Sequence, residues 1–247
     1  MPPQRRILHL LLTVAVFASF AGPITAQELS IDFGDEGSLT ARSLQLIALI
    51  TVLSLAPGIA IMVTCFPFVV TVLAILRQGI GLQQSPPNML IVSLALFITY
   101  YVMEPVFAEA WQNGLRPLTE GATDYTVAFS NTMAPFQVFM AARVDTDTLF
   151  RLAELRGVVP GEDIAATTPL SVLVPSFLLS EIERAFQVGF LIFLPFLVID
   201  LVVASVLMSM GMMMVPPAVV SLPFKLAFFV VADGWTLVSE ALVRSYL

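Results

Sequence analysis

The sequence predicts an all-α membrane protein: two helical hairpins with broken helices and a small extramembrane helical insertion. Three observations carry that reading. Hydrophobic residues make up 58% of the chain and charged residues only 12%, far from the balance of a water-soluble domain. No charge occurs from Ser43 to Leu76, from Gln78 to Met103, or from Leu201 to Phe224. Each stretch is long enough to cross a hydrocarbon core, which takes about 20 apolar residues. Turn signals rich in Gly and Pro then divide these stretches into paired segments.

Residues 1–26 have the order of a secretory signal peptide, with Arg5 and Arg6, an apolar run from Ile7 to Phe20, and small residues up to Ala26. Cleavage there would remove His9, the only histidine. A mature chain without imidazole lacks the commonest general base and metal ligand. With Cys65 as the single cysteine, an intrachain disulfide is excluded. No glycine-rich phosphate loop and no basic patch occurs, so the pattern points to neither an enzyme nor a nucleic-acid binder, and to no cofactor.

Residues 27–42 form an acidic, turn-rich lead-in expected on the periplasmic side. The first hydrophobic hairpin covers 43–103. Pro57-Gly58 and Pro67 are expected to kink its first arm or divide it. The turn "RQGIGLQQSPPN" contains Pro86 and Pro87, and the second arm is expected to end at Glu104-Pro105. Residues 104–170 carry nine acidic and four basic residues. Helical spacing shows there in Phe136, Phe139, Met140 and Val144, and again in Leu149, Leu152 and Leu155. This part reads as a periplasmic helical region. The second hairpin, 171–247, is expected to hold segments near 185–210 and 218–243. Between them lies "LMSMGMMMVPP", with five of the chain's 11 methionines.

Two charges stand deep in apolar sequence. Asp200 lies in "FLPFLVIDLVVASVLMSMG", and Lys225, the only lysine, in "VVSLPFKLAFFVVADGW". Unpaired charges at such depth cost several kcal/mol. The two residues are nearly equidistant from the methionine turn, which sets them at similar depth on antiparallel helices, so a direct or inter-subunit pair is expected. Glu181, beside Glu183 and Arg184, is a competing partner for Lys225 from a neighbouring subunit. The pairing either locks helices together or acts in transport.

The stretches "PSFLLSEIERAFQVGF", "PFLVIDLVVASVLMSMGMMMVPP" and "SLPFKLAFFVVADGW" resemble the FliP/SctR family, whose members are core export-gate proteins of flagellar and virulence type III secretion. "LRQGIGLQQSPPNMLIVSLALFITYYVMEPV" is similar to the family's first hairpin. The chain departs from the family pattern at Phe68, Gln137 and Glu183, where basic residues are usual. The resemblance implies five copies assembling into a helical oligomeric gate with FliQ-type and FliR-type subunits, beside FlhB-type and FlhA-type export components. That assembly sits in the bacterial inner membrane at the flagellar basal body and passes unfolded flagellar proteins. It further implies that Met210, Met212, Met213 and Met214 ring the closed pore. Gly211 would let that turn bend, and Pro216 and Pro217 would fix where the next helix starts. Two alternatives are a virulence-type gate and a small-solute transporter subunit. The latter would need a discrete midplane substrate site.

Overall fold

The computed structural model describes residues 38–82, 85–212 and 214–246. The signal-peptide reading lies outside these residues, as do most of the lead-in and Met213. Residues 1–51 and 52–247 form separate units, and the division falls within the first described helix, α1 (Ser38–Met62). From Ser43 onward the α1 side chains described are exposed, Leu44, Ile47 and Leu53 among them, as suits a helix that turns apolar residues toward lipid.

All the described regular structure is helical. After α1 the chain breaks at Val63–Cys65 and restarts as α2 (Phe66–Ile80). Of the two expected breaks only the one at Pro67 divides the segment. Pro67 sits in the first turn of α2, where its missing N–H leaves no bond unmade. Pro57 is accommodated inside α1. At 15 residues, α2 rises only about 22 Å, short of the roughly 30 Å hydrocarbon core. It is instead the buried axis of the larger unit. Phe68, Val69, Val72, Leu73, Leu76 and Ile80 are all buried on it, clustering with Ile91, Ala95, Val102, Met103, Phe196 and Phe229 from other helices.

The turn to α3 (Asn88–Ala110) opens on Gly81, at φ +88°, where a residue without Cβ costs least. Arg77 then closes it from inside: its guanidinium donates to the Pro86 carbonyl at 3.3 Å and to the Asn88 side chain. Pro87 takes the N-cap position of α3. The helix does not end at Glu104-Pro105 as the sequence suggests. It runs through Pro105, passes a π-helical turn at Trp111–Leu115, and continues as α4 (Arg116–Thr119), 32 residues in all. In a membrane helix the groups freed by an internal proline can be satisfied by neighbours and local adjustments, so proline is a weaker stop there than in water. The π-turn also brings Gly114 so close to Thr132 that an added Cβ would sit 2.0 Å from its hydroxyl oxygen.

Next come α5 (Tyr125–Arg143), α6 (Thr146–Leu155) and the single turn α7 (Ile164–Thr167). Asp145 caps α6 by accepting from the Thr148 amide at 2.8 Å, and Asp163 caps α7 in the same way. Met140, Val144, Leu149 and Ala153 join Val172, Leu173 and Phe177 in a second core. The expected apolar stripe is therefore real in Met140, Val144 and Leu149, with Phe136, Phe139 and Leu152 half-buried against the cores. Leu155 is the exception, 87% exposed at the end of α6.

The second hairpin differs more from expectation. Its first arm, α8, begins at Leu170 rather than near 185 and continues for 40 residues to Ser209, with Pro175 and Pro195 inside it. Its second arm is α9 (Pro217–Val231) followed by α10 (Gly234–Arg244), bent 61° from one another. The helix α2 packs most extensively against α8. Gly189 makes this possible: a Cβ there would lie 2.4 Å from Cδ1 of Ile75. By length and apolarity three of the described helical runs can cross a membrane, or four if α9 and α10 count as one.

Candidate functional site: two charge clusters and a methionine turn on one helix

Asp200 and Lys225 meet directly and within one chain. Lys225 Nζ donates to Asp200 Oδ2 at 2.6 Å. The Lys225 side chain is nearly sealed from solvent, whereas that of Asp200 is 32% exposed. Two further bonds complete the site. Ser221, one turn before Lys225 on α9, donates its hydroxyl to Asp200 Oδ1 at 2.5 Å. Lys225 Nζ also donates to the Gly79 carbonyl at 3.1 Å. That carbonyl lies in the last turn of α2, among the four that no helical N–H can reach, at the negative end of the helix dipole. The lysine therefore caps α2 as well as pairing with α8. One ammonium joins α2, α8 and α9, which the sequence reading of a two-residue pair did not anticipate. The position is tight: a Cβ on Gly79 would be 3.0 Å from the Phe196 ring.

Within the chain Glu181 is held not by Lys225 but by a different set of residues. It is fully buried on α8 and accepts from Arg143 Nε at 3.1 Å, from Arg184 at 3.5 Å and from the Tyr246 hydroxyl. Arg143, at the end of α5, also donates to the Ser245 carbonyl at 2.9 Å, and its guanidinium carbon lies 3.7 Å from the Tyr246 ring centre. Tyr246 stacks on Phe139 and meets Phe68 edge-on. Burial, and then the Glu181 carboxylate beside it, hold the Tyr246 phenol well above its usual titration range. It therefore stays protonated and remains the donor. Arg143 and Tyr246 escaped the sequence reading because neither is out of place locally; only their contacts 38 and 65 residues away mark them.

The methionine turn ends α8. Gly211 adopts φ +75° and donates to the Met208 carbonyl, and the Met212 amide reaches back to Leu207, both at 3.0 Å. This pair of bonds around a left-handed glycine is the Schellman closure of a helix end. Pro216 occupies the N-cap of α9 and Pro217 its first turn, so the turn repeats the glycine-then-Pro-Pro scheme of the α2–α3 connection. Met210 is 65% exposed, Met212 39% and Met214 98%. These thioethers do not fill the chain's own core; Met210 instead borders an apolar cavity of roughly 550 Å³ with Val206 and Phe224. Among the described residues no three His, Cys, Asp or Glu side chains gather as a metal site would require.

Broken helices, a 40-residue arm with two buried charge clusters, and an exposed methionine tip together define a multi-pass helical membrane protein with a deformable apolar end. Residues 49–242 match the model of the FliP family. The chain is 49% identical to the flagellar biosynthetic protein FliP of Caulobacter vibrioides, with 97% of this chain and 90% of that one aligned. It is 45% identical to the protein of the same name from Agrobacterium fabrum, over 97% of this chain and all of the relative. The FliP of Bacillus subtilis is 42% identical over 83% of this chain and 93% of its own length. The chain belongs to the FliP family.

Proposed function

We propose that this protein is the pore-forming subunit of the flagellar protein export gate, with its methionine turn as the seal. Membership of the FliP family supports the gate role. The observation that carries the seal is the exposure of Met210, Met212 and Met214 at a turn whose backbone is fixed at both ends, by Gly211 and by Pro216-Pro217. A seal around a moving polypeptide must be apolar, deformable and indifferent to sequence, and unbranched thioethers meet those needs. In this reading about five copies surround an axial pore, joined by FliQ-type and FliR-type subunits and served by FlhB-type and FlhA-type components. Unfolded flagellar proteins pass through that pore in the inner membrane at the basal body. Residues 104–170 face the periplasm, and residues 1–26 are removed on export. The flagellar branch is favoured over the virulence branch by the relatives described above, each a flagellar protein by name.

The test is ion leakage across membranes containing the assembled gate. Replacing Met212, Met213 and Met214 with alanine is expected to raise leakage while the complex still assembles. Leakage unchanged from the wild type, with assembly intact, would reduce the turn to ordinary packing.

A further inference from the structure

The C-terminal helix α10 is fastened at its two ends and rests between them on a narrow apolar face. At its start the chain bends by 61°, and Asp233 sits at φ +49°, ψ +46°, in the left-handed region that a residue with a side chain seldom occupies. Its carboxylate accepts from the Thr236 hydroxyl at 3.2 Å, and its carbonyl starts α10 by accepting from Leu237. Gly234 beside it lies against Phe229 so closely that a Cβ would be 2.1 Å from the ring. At the other end Ser245 and Tyr246 enter the Arg143–Glu181 cluster. Between these ends Val238 and Leu242 are buried in the main core, while along its outer side α10 and α3 flank an open apolar groove. Leu94, Phe97 and Tyr101 line it from α3, and Trp235, Ser239 and Val243 from α10.

We propose that α10 is a strap, hinged at Asp233–Gly234 and latched by Tyr246 onto the Arg143–Glu181 clasp, which lifts from α3 when the latch opens. With only Val238 and Leu242 fully buried between the ends, the two end attachments weigh heavily in the free energy of opening. The clasp is suited to a latch because its acceptor, Glu181, and its aromatic wall, Phe68 and Phe139, belong to α8, α2 and α5. Those partners stay in place whether or not the tail is seated. The inference rests on the fold alone and stands apart from the export reading.

Labelling kinetics test it. In full-length protein in native membranes, with Cys65→Ala as background, Val238→Cys reports strap opening by its rate of reaction with a small permeant maleimide. Tyr246→Phe keeps the ring contacts and removes one hydrogen bond to a charged acceptor, so labelling is expected to speed up about tenfold. Tyr246→Ala should be faster still. A second reporter, Leu173→Cys in the other core, should stay protected throughout. A wild-type rate for Tyr246→Phe overturns the latch whatever Tyr246→Ala does. So does equal acceleration at Leu173→Cys, which would mean general loosening rather than a lifting strap.

Discussion

On α8, Glu181 and Asp200 lie about 28 Å apart along the helix, and they are satisfied in different ways. Glu181 has no exposed surface; Arg143 and Tyr246 each occupy one of its oxygens, and Arg184 reaches the first at longer range. Asp200 keeps a third of its side chain exposed and holds one lysine and one serine. The first cluster gathers α5, α8 and the tail; the second gathers α2, α8 and α9. The contrast separates two uses of a buried charge. A sealed carboxylate with redundant donors fixes where distant segments dock. A half-open pair whose cation also caps a helix sets the position of the methionine hairpin against α2, while one member still senses its surroundings.

The contrast predicts an order of sensitivity. Arg143→Ala should be the most damaging change, because it takes the nearer cation from a fully buried Glu181 and leaves it the Tyr246 hydroxyl and the longer Arg184 contact; losing one partner of such a pair typically costs about 3–5 kcal/mol. Thermal unfolding in detergent measures this, and Arg143→Lys should recover only part, since an ammonium cannot bond Glu181 and the Ser245 carbonyl with one planar fork. Lys225→Met should cost less, because Asp200, a third exposed, retains Ser221 and contact with water. If Lys225→Met proves the more destabilising of the two, the contrast is inverted. The charge exchange Asp200→Lys with Lys225→Asp sharpens it further. A carboxylate at position 225 would face the Gly79 carbonyl, so the double change should rescue incompletely even though the pair is restored.

Next in size is Gly189→Val, which drives a side chain into Ile75 where even a Cβ has no room. Overpacking of this kind costs about 1–3 kcal/mol, and it should loosen both clusters together because α2 and α8 cross there. Smallest is Asp145→Ala at the N-cap of α6. Hydrogen bonds from Thr148 hold the Asp145 carboxyl below its usual range. A carboxylate with a depressed native pKa adds stability above its unfolded value, and that contribution is lost as pH falls through the native one. The variant should therefore be less stable than the wild type near neutrality and indistinguishable from it in acid, as urea titrations at the two pH values would show.

The same two clusters show what a sequence reveals and what it hides. Asp200 and Lys225 were visible because a charge within an apolar run is an anomaly, and equal spacing from a turn is a geometric statement. Arg143 and Tyr246 were not visible, because an arginine ending an amphipathic helix and a tyrosine near a C-terminus have many ordinary explanations. Membrane class, the break at Pro67 and both Gly/Pro-Pro turns were legible from composition and local backbone preference. Helix ends were not. Pro105, Pro175 and Pro195 all lie inside helices, since apolar surroundings penalise breaking a helix more than they penalise one lost hydrogen bond. The closure of α8 at Gly211 shows the opposite case, where the local signal was enough.

The interval between Glu181 and Asp200 has a physical counterpart. At about 28 Å it approximates the thickness of a bilayer's hydrocarbon layer, roughly 30 Å, and no charge occurs between Ala185 and Ile199. The helix thus sets its two ionic groups about one hydrocarbon thickness apart. Reconstitution into lipids of increasing chain length should then carry a penalty that grows with each ångström of mismatch, and the half-open Asp200 end is where it should first be felt.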